Sequence, residues 1–168
     1  MTSVVGAAAP KGMTPCELRN IEIVRELLET AKPMSPEDEA RLAPDFRLRR
    51  LGMNNLAEML AGADVDHREH AGYSRASFSD RRDEIVDVIA RDDVVWVLFR
   101  LTGHHTGPFW GMPGNGAALE LLEFGIFRVE GEKVVDGWFL NDELAICRQI
   151  GLVDDEMLQA RIAQADAG

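Results

Sequence analysis

The chain is short of cysteine and of metal-binding patterns. Cys16 and Cys147 are the only cysteines in 168 residues, and they form no CxxC pair and no Cys/His pair at zinc spacing. A disulfide framework is therefore not expected. No glycine loop that could hold a phosphate and no ligand cluster is evident, so we predict neither a metal ion nor an organic cofactor.

Positive charge and long apolar runs are also scarce. The 18 Lys and Arg residues are outnumbered by 29 Asp and Glu residues, which gives a formal net charge of -11. Such a surface repels nucleic-acid phosphates and anionic lipids, so neither is an expected partner. No stretch approaches the length of a transmembrane helix, and residues 1–13 lack the basic start of a signal peptide and are predicted to be a flexible leader. We expect a cytoplasmic protein.

The hydrophobic content of 46% is sufficient for one sizeable core. Thr14, Pro15 and Glu17 make a capping box for a first helix, whose apolar face is predicted to include Leu18 and Ile21. Further predicted elements are short helices at 35–43 and 54–60, strands at 46–51, 84–90, 94–102, 117–129 and 134–140, and helices at 142–150 and 154–164. Helices before and after an antiparallel meander predict an α+β fold with helices on one face of a bent sheet.

Three segments resemble the SnoaL-like polyketide cyclase family of the nuclear transport factor 2-like superfamily. They are Gly103-His104-His105-Thr106-Gly107 through Pro113, then Phe124-Gly125-Ile126-Phe127-Arg128-Val129 with the hairpin to Val135, and Trp138 through Asp142 to Gly151. The resemblance covers about 14–151, which we take as the domain, with 152–168 as a C-terminal helix and tail. It implies a cone-shaped, curved antiparallel sheet that encloses an apolar cavity with N-terminal helices, a homodimer and no cofactor.

The resemblance also implies aldol ring closure by an Asp beside His residues, written His-Trp-Asp on the last strand. Here the chain reads Gly137-Trp138-Phe139, so both the His and the Asp are missing. If the family's cavity face is kept, Gly137 and Phe139 widen an apolar pocket. The acid–base groups must then come from elsewhere in the cavity.

Five residues are candidates for acid–base work. Glu123 should share the inward face with Gly125 and Phe127, where burial would raise its pKa and suit it to proton transfer; a solvated Glu on the outer face is the alternative. His104 and His105 end a strand beside a Gly/Pro-rich loop, and only one can face the pocket; bracing the loop is the alternative.

Arg49 could hold a developing oxyanion if it faces the cavity, and would otherwise be a surface residue. Tyr73, the only tyrosine, lies in a polar segment at 62–78 with His67 and His70, and could donate a proton or belong to an exposed helix. Asp142 is interpreted as a helix N-cap.

Aromatic and apolar residues supply flat surface for a ring-shaped ligand, although ordinary core packing is the alternative. The predicted cavity is lined by Phe127, Phe139 and either Leu98 or Phe99. The predicted binding residues are Phe109, Trp110, Met112, Phe127, Phe139 and Asn141.

Three functions remain open. The first is a cofactor-independent lyase or isomerase that uses acid–base chemistry on a small hydrophobic, aromatic substrate, by dehydration or C–C cleavage as in lignin-dimer deformylating lyases. The second is a polyketide cyclase whose acid–base groups have moved. The third is a non-catalytic protein that binds an aromatic or polycyclic small molecule.

Overall fold

A computed structural model describes residues 12–28, 39–51, 76–109 and 112–166 of the chain. Their elements are α1 (Pro15–Leu28), β1 (Leu42–Leu51), β2 (Phe78–Arg91), β3 (Val94–His105), β4 (Ala118–Glu130), β5 (Lys133–Asn141), α2 (Glu143–Gln149) and α3 (Asp155–Asp166). The predicted helix at 54–60, the start of the one at 35–43 and most of the polar segment at 62–78, with His67 and His70, lie outside the described residues.

The five strands form one sheet in the order β1-β5-β4-β3-β2. The four strands β2 to β5 are an antiparallel meander, as predicted, whereas β1 joins the edge parallel to β5. Strand β1 begins at Leu42 rather than Phe46. Register shifts interrupt the β2–β3 and β4–β5 pairings, and such bulges bend and twist a sheet. The predicted α+β fold with a curved sheet is confirmed.

Strict alternation along β4 defines the two faces of the sheet. Leu121, Glu123 and Phe127 are buried, while Leu122 and Phe124 between them are about half exposed. Successive side chains on a strand point to opposite faces. We call the buried side the inner face and the other side the outer face.

Helix α1 packs on the inner face at the end where β2 turns into β3. The predicted capping box is present: Glu17 accepts hydrogen bonds from the backbone N–H of Thr14 at 2.7 Å and from its hydroxyl at 2.9 Å, and Thr14 Oγ1 accepts from the Glu17 N–H at 3.2 Å. Ile21 is buried as predicted, and Val24 is also buried. Leu18 is 36% exposed, so its predicted place in the apolar face is wrong; Ile23 is buried instead.

The buried residues form two clusters. The larger one joins α1 to the ends of the strands near the β2–β3 turn and includes Phe99 and Phe127. The smaller one joins Ile146 and Ile150, from α2 and its C-cap, to Leu121, Phe78 and residues around them. The inner face is therefore covered at both ends by helices.

Helix α3 is exposed wherever the structure describes its side chains. Asp154 caps it by accepting a hydrogen bond from the Met157 N–H at 2.7 Å. The helix predicted at 154–164 is present, and its described side chains, including Met157 and Ile162, are exposed. In the described part of the chain, no helix is long and apolar enough to cross a membrane.

Candidate functional site

Glu123 is a buried carboxylate in the middle of the inner face. The residue is only 5% exposed. It lies opposite Phe99 on β3 and opposite Asn141 on β5. Directly opposed residues of antiparallel strands have Cβ atoms about 5 Å apart, so these three side chains share one patch of the face.

Aromatic rings wall this patch. Phe139 is edge-on to Phe99, with ring centroids 6.0 Å apart, and edge-on to Phe127 at 5.3 Å. Gly125, between Glu123 and Phe127, leaves room for the Phe127 ring, because a Cβ there would lie 2.6 Å from Phe127 Cε2. The glycine thus allows a phenylalanine ring to fold back along its own strand.

Asn141 brings a second polar group to the patch. Its side-chain Oδ1 is buried and has no hydrogen-bond partner among the described residues. Buried polar atoms are nearly always paired, so an unpaired one in a native fold indicates a place where a donor can bind. The patch therefore holds a carboxylate and an amide oxygen on neighbouring strands, and the surface around them is otherwise aromatic.

His105 is the inward member of the histidine pair. It has no exposed surface, whereas His104 is exposed and lies with its Nδ1 3.7 Å from Oδ2 of Asp80. His105 does not join Glu123, however. It lies six residues beyond Phe99 along β3, which is about 20 Å of extended strand.

The loop after β3 is held tightly against the start of β2. The N–H groups of Thr106 and Gly107 both donate to the Ser77 carbonyl at 3.0 Å, and the Ser77 hydroxyl donates to the Pro108 carbonyl at 2.5 Å. A Cβ on Gly107 would lie 1.9 Å from the Ala76 carbonyl oxygen, so only glycine fits there. Gly107 therefore serves close packing of two backbone segments.

Phe109 and Met112 exchange two backbone hydrogen bonds of 2.9 Å and close the tip of this loop. Phe109 is buried and edge-on to Phe78, with centroids 5.0 Å apart, so it belongs to the smaller cluster with His105 and not to the Glu123 patch. Trp110 and Tyr73 lie outside the described residues.

Arg49 is on the outer face, contrary to the expected inward position. Arg49 pairs in register with Trp138. Trp138 lies beside Ile126 of β4, which in turn pairs with Trp96 of β3, and these side chains point to the outer face. Its guanidinium forms an ion pair with Asp136 and lies 4.7 Å from the Trp138 ring centroid, and the Trp138 indole N–H donates to Asp136 at 3.1 Å. These contacts place Arg49 on the opposite side of the sheet from Glu123.

Cys147 is a poor candidate for a nucleophile. It is buried, and burial together with the nearby Glu143 carboxylate raises the pKa of its thiol. The thiolate is the reactive form, so this environment keeps the group inert. Within the described residues, no three His, Cys, Asp or Glu side chains are grouped as they would be to hold a metal ion. The predicted absence of a metal stays a prediction.

Comparison with known proteins assigns the fold. The sequence model of the SnoaL-like polyketide cyclases matches residues 38–150. The chain belongs to this family. No curated protein matches the sequence significantly.

Solved structures of the same fold share little sequence with it. A protein from Jannaschia sp. CCS1, described as SnoaL-like polyketide cyclase, has a TM-score of 0.69 at 21% identity, covering 86% of this chain and 100% of its own. AclR of Streptomyces galilaeus, described as a hydroxylase, has a TM-score of 0.66 at 18% identity, over 90% and 94% of the two chains. IdmH of Streptomyces antibioticus, described as a polyketide cyclase, has 0.62 at 22%, over 79% and 98%. These likenesses show the fold.

Gly137 and Phe139 occupy the positions where the family carries its His and Asp. They do not widen a pocket as expected. A Cβ on Gly137 would lie 3.3 Å from the Phe46 ring and 3.5 Å from the Phe127 ring, so aromatic side chains already fill that space. Phe139 packs between Phe99 and Phe127. Leu98 is on the outer face, opposite Phe124, so of the two expected lining residues only Phe99 faces inward.

Sequence reasoning missed two contacts of this SnoaL-like domain. Phe46 fills the space above Gly137, and Asn115 contacts His105. The Gly114-Asn115-Gly116 sequence signals a turn, which could have drawn attention to Asn115. Nothing in the sequence shows that the turn folds back onto β3, because that contact depends on tertiary packing.

Proposed function

We propose that this SnoaL-like chain is a cofactor-independent acid–base enzyme that acts as a lyase or isomerase on a small hydrophobic, aromatic molecule. One observation carries the proposal: Glu123 is a buried carboxylate on an aromatic inner face, directly opposite an Asn141 oxygen that lacks a partner among the described residues. A carboxylate in such surroundings suits proton transfer to and from carbon.

The proposed reaction begins when the Glu123 carboxylate takes a proton from a carbon next to a substrate carbonyl. The C–H electron pair moves into the new C=C bond of an enolate. The enolate then expels a hydroxyl group from the neighbouring carbon, and the Glu123 carboxylic acid returns its proton to that oxygen, so water leaves. Asn141 Oδ1 accepts a hydrogen bond from a substrate hydroxyl and orients the ring against Phe139.

Aldol ring closure is the second candidate, and the family match over residues 38–150 favours it. It would use the same enolate, which attacks a second carbonyl of the same molecule instead of expelling a hydroxyl. The aromatic packing around Gly137 and Phe139 supports the lyase or isomerase instead, because the positions of the family's acid–base residues carry no titratable group here.

Two aryl ketones separate these reactions. For 3-hydroxy-1-phenylpropan-1-one in D₂O, we expect enzyme-dependent exchange of the protons next to the carbonyl, followed by loss of water, both measured by NMR. A linear aryl 1,5-diketone, whose aldol closure forms a six-membered ring, tests the second candidate. Binding of either compound without proton exchange would indicate a binding protein instead.

Glu123→Gln should lower the exchange rate by about 10²- to 10⁴-fold, the usual contribution of a general acid–base group. Glu120→Gln is the matched control, because Glu120 is on the same strand but exposed on the outer face, where it pairs with Arg100. Circular dichroism must show that both variants are folded. A folded Glu123→Gln protein with wild-type exchange would refute the proposal.

We also propose that the protein is a homodimer that associates through its outer face. Six apolar side chains form two adjacent rows across three strands there, in register with one another. They are Trp96, Leu98, Phe124, Ile126, Trp138 and Leu140, which we call the outer patch. Contiguous exposed apolar surface of this kind is typical of protein–protein interfaces. The cytoplasmic location stays a prediction.

A further inference from the structure

His105 occupies a second polar position on the inner face, at the end of β3. Its ring is fully buried, with centroids 5.7 Å from Phe78 and 6.5 Å from Phe109. The distance along β3 separates it from Glu123, so it does not act at the carbon from which Glu123 would take a proton. The chemistry of His105 therefore depends on the residues that contact it.

Asn115 determines which ring nitrogen of His105 carries hydrogen. The Asn115 amide is oriented by two backbone groups: its Oδ1 accepts from the Ala117 N–H at 3.0 Å, and its Nδ2 donates to the Ile150 carbonyl at 2.8 Å. An N–H can only donate and a carbonyl can only accept, so the amide cannot be reversed. His105 Nδ1 lies 3.2 Å from that same Oδ1. Nδ1 is therefore the protonated nitrogen.

The other ring nitrogen, Nε2, is then an acceptor in the neutral imidazole. This atom is buried and has no partner among the described residues. An acceptor that has lost its water and gained no donor costs free energy, which binding of a donor would recover. The surrounding Phe78 and Phe109 rings disfavour a charged donor. The lone pair of Nε2 also repels an anion.

We infer that His105 Nε2 is a binding position for a neutral hydroxyl group of an aromatic ligand, such as a phenol or an enol, and that Asn115 is the positioning residue that keeps Nε2 free of hydrogen. The aromatic nature of the ligand rests on the proposed function. The role is binding and orientation, whereas proton transfer at carbon is assigned to Glu123.

Ring ¹⁵N NMR of the full chain tests this inference with 1-naphthol as the probe. We expect His105 to be in the Nδ1–H form, and its Nε2 resonance to move as 1-naphthol is added. Naphthalene and 1-methoxynaphthalene lack the O–H and should not move it. An Nε2–H form, or an Nε2 resonance that stays in place up to the solubility limit of 1-naphthol, would overturn the inference.

His105→Phe keeps a ring between Phe78 and Phe109 but removes the acceptor. It should raise the Kd of 1-naphthol about fivefold to tenfold, the worth of one hydrogen bond, and leave naphthalene binding unchanged. Thr106→Val, at the exposed neighbouring residue, is the matched control and should change neither Kd. Equal affinity of wild type and folded His105→Phe for 1-naphthol would contradict the inference.

Asn115→Leu should shift His105 toward the Nε2–H form, a change that a purely structural role of Asn115 would not produce. These measurements do not depend on turnover. Absence of proton exchange in the wild-type protein would refute the proposed enzyme alone, whereas normal exchange with an unmoved His105 resonance would refute this inference alone.

Discussion

Glu17 shows how one buried carboxylate can connect two parts of the fold. Besides capping α1 through Thr14, its Oε1 accepts a hydrogen bond from the Asp92 N–H at 3.1 Å, in the turn between β2 and β3. The hydrogen bonds from the Thr14 and Asp92 backbone and the Thr14 hydroxyl lower the pKa of Glu17. A lowered pKa in the folded state means that the ionised form stabilises the fold.

The stabilising effect of Glu17 should therefore disappear in acid. It is fully present above the ordinary carboxyl pKa of about 4.3 and is lost as the pH falls through the lower value of the folded state. We expect Glu17→Gln to lower the Tm at pH 7, and the difference from wild type to shrink below pH 4. Thermal denaturation at both pH values measures this. A Tm difference that is the same at pH 7 and pH 3 would argue against an ionised Glu17 as the cause.

At the scale of elements, Asp142 marks the passage from β5 to α2. Its Oδ1 accepts a hydrogen bond from the Ala145 N–H at 2.9 Å, which is the geometry of a helix N-cap. This confirms the interpretation of Asp142 as a cap. Helix α2 in turn places Ile146 and Ile150 against the smaller cluster, so the cap supports the end of the inner face that holds His105.

Replacing this cap should cost stability and leave chemistry intact. We expect Asp142→Ala to reduce the free energy of unfolding by about 1 kcal/mol, and Asp142→Asn to reduce it less, because Asn is also a good N-cap. Urea denaturation measures both values. If folded Asp142→Asn protein loses proton exchange while Glu123→Gln retains it, the assignment of the acid–base group to Glu123 is wrong.

For the whole molecule, the outer patch has consequences for assembly. Trp96, Phe124 and Leu140 are each about half exposed, and Phe124 is flanked by Leu98 on one side and Leu140 on the other. A stable protein–protein interface buries roughly 800 Å² on each partner, which a sheet face of this kind can supply. A second copy of the chain would cover the same patch symmetrically.

Sedimentation at micromolar concentration should therefore show a species of twice 18.6 kDa, about 37 kDa. Phe124→Glu should convert it to monomer, because a charge in the middle of the patch cannot be buried without a partner. Leu144→Glu, an equally exposed apolar residue on α2, should leave the dimer intact. A wild-type protein that sediments only as an 18.6 kDa species would contradict the proposal.

The residues of the chain by themselves determined the elements that depend on local chemistry. The capping box at Thr14 and Glu17, the alternation along β4 and the N-cap at Asp142 were all readable, because capping and strand alternation involve residues within a few positions of each other. The inward position of Glu123 followed from the same alternation once the buried side of the strand was known. The three sequence motifs, in the order and spacing of the family, were enough to indicate the family.

Only the tertiary structure decided which side chains meet. Arg49 faces outward because β1 adds to β5 in a register that pairs it with Trp138, and Gly137 opens no pocket because Phe46, more than 80 residues earlier, fills the space. Asn115 reaches His105 because the glycine loop folds back on β3. Strand register and long-range packing depend on residues far apart in the chain, whereas sequence periodicity reports only on near neighbours.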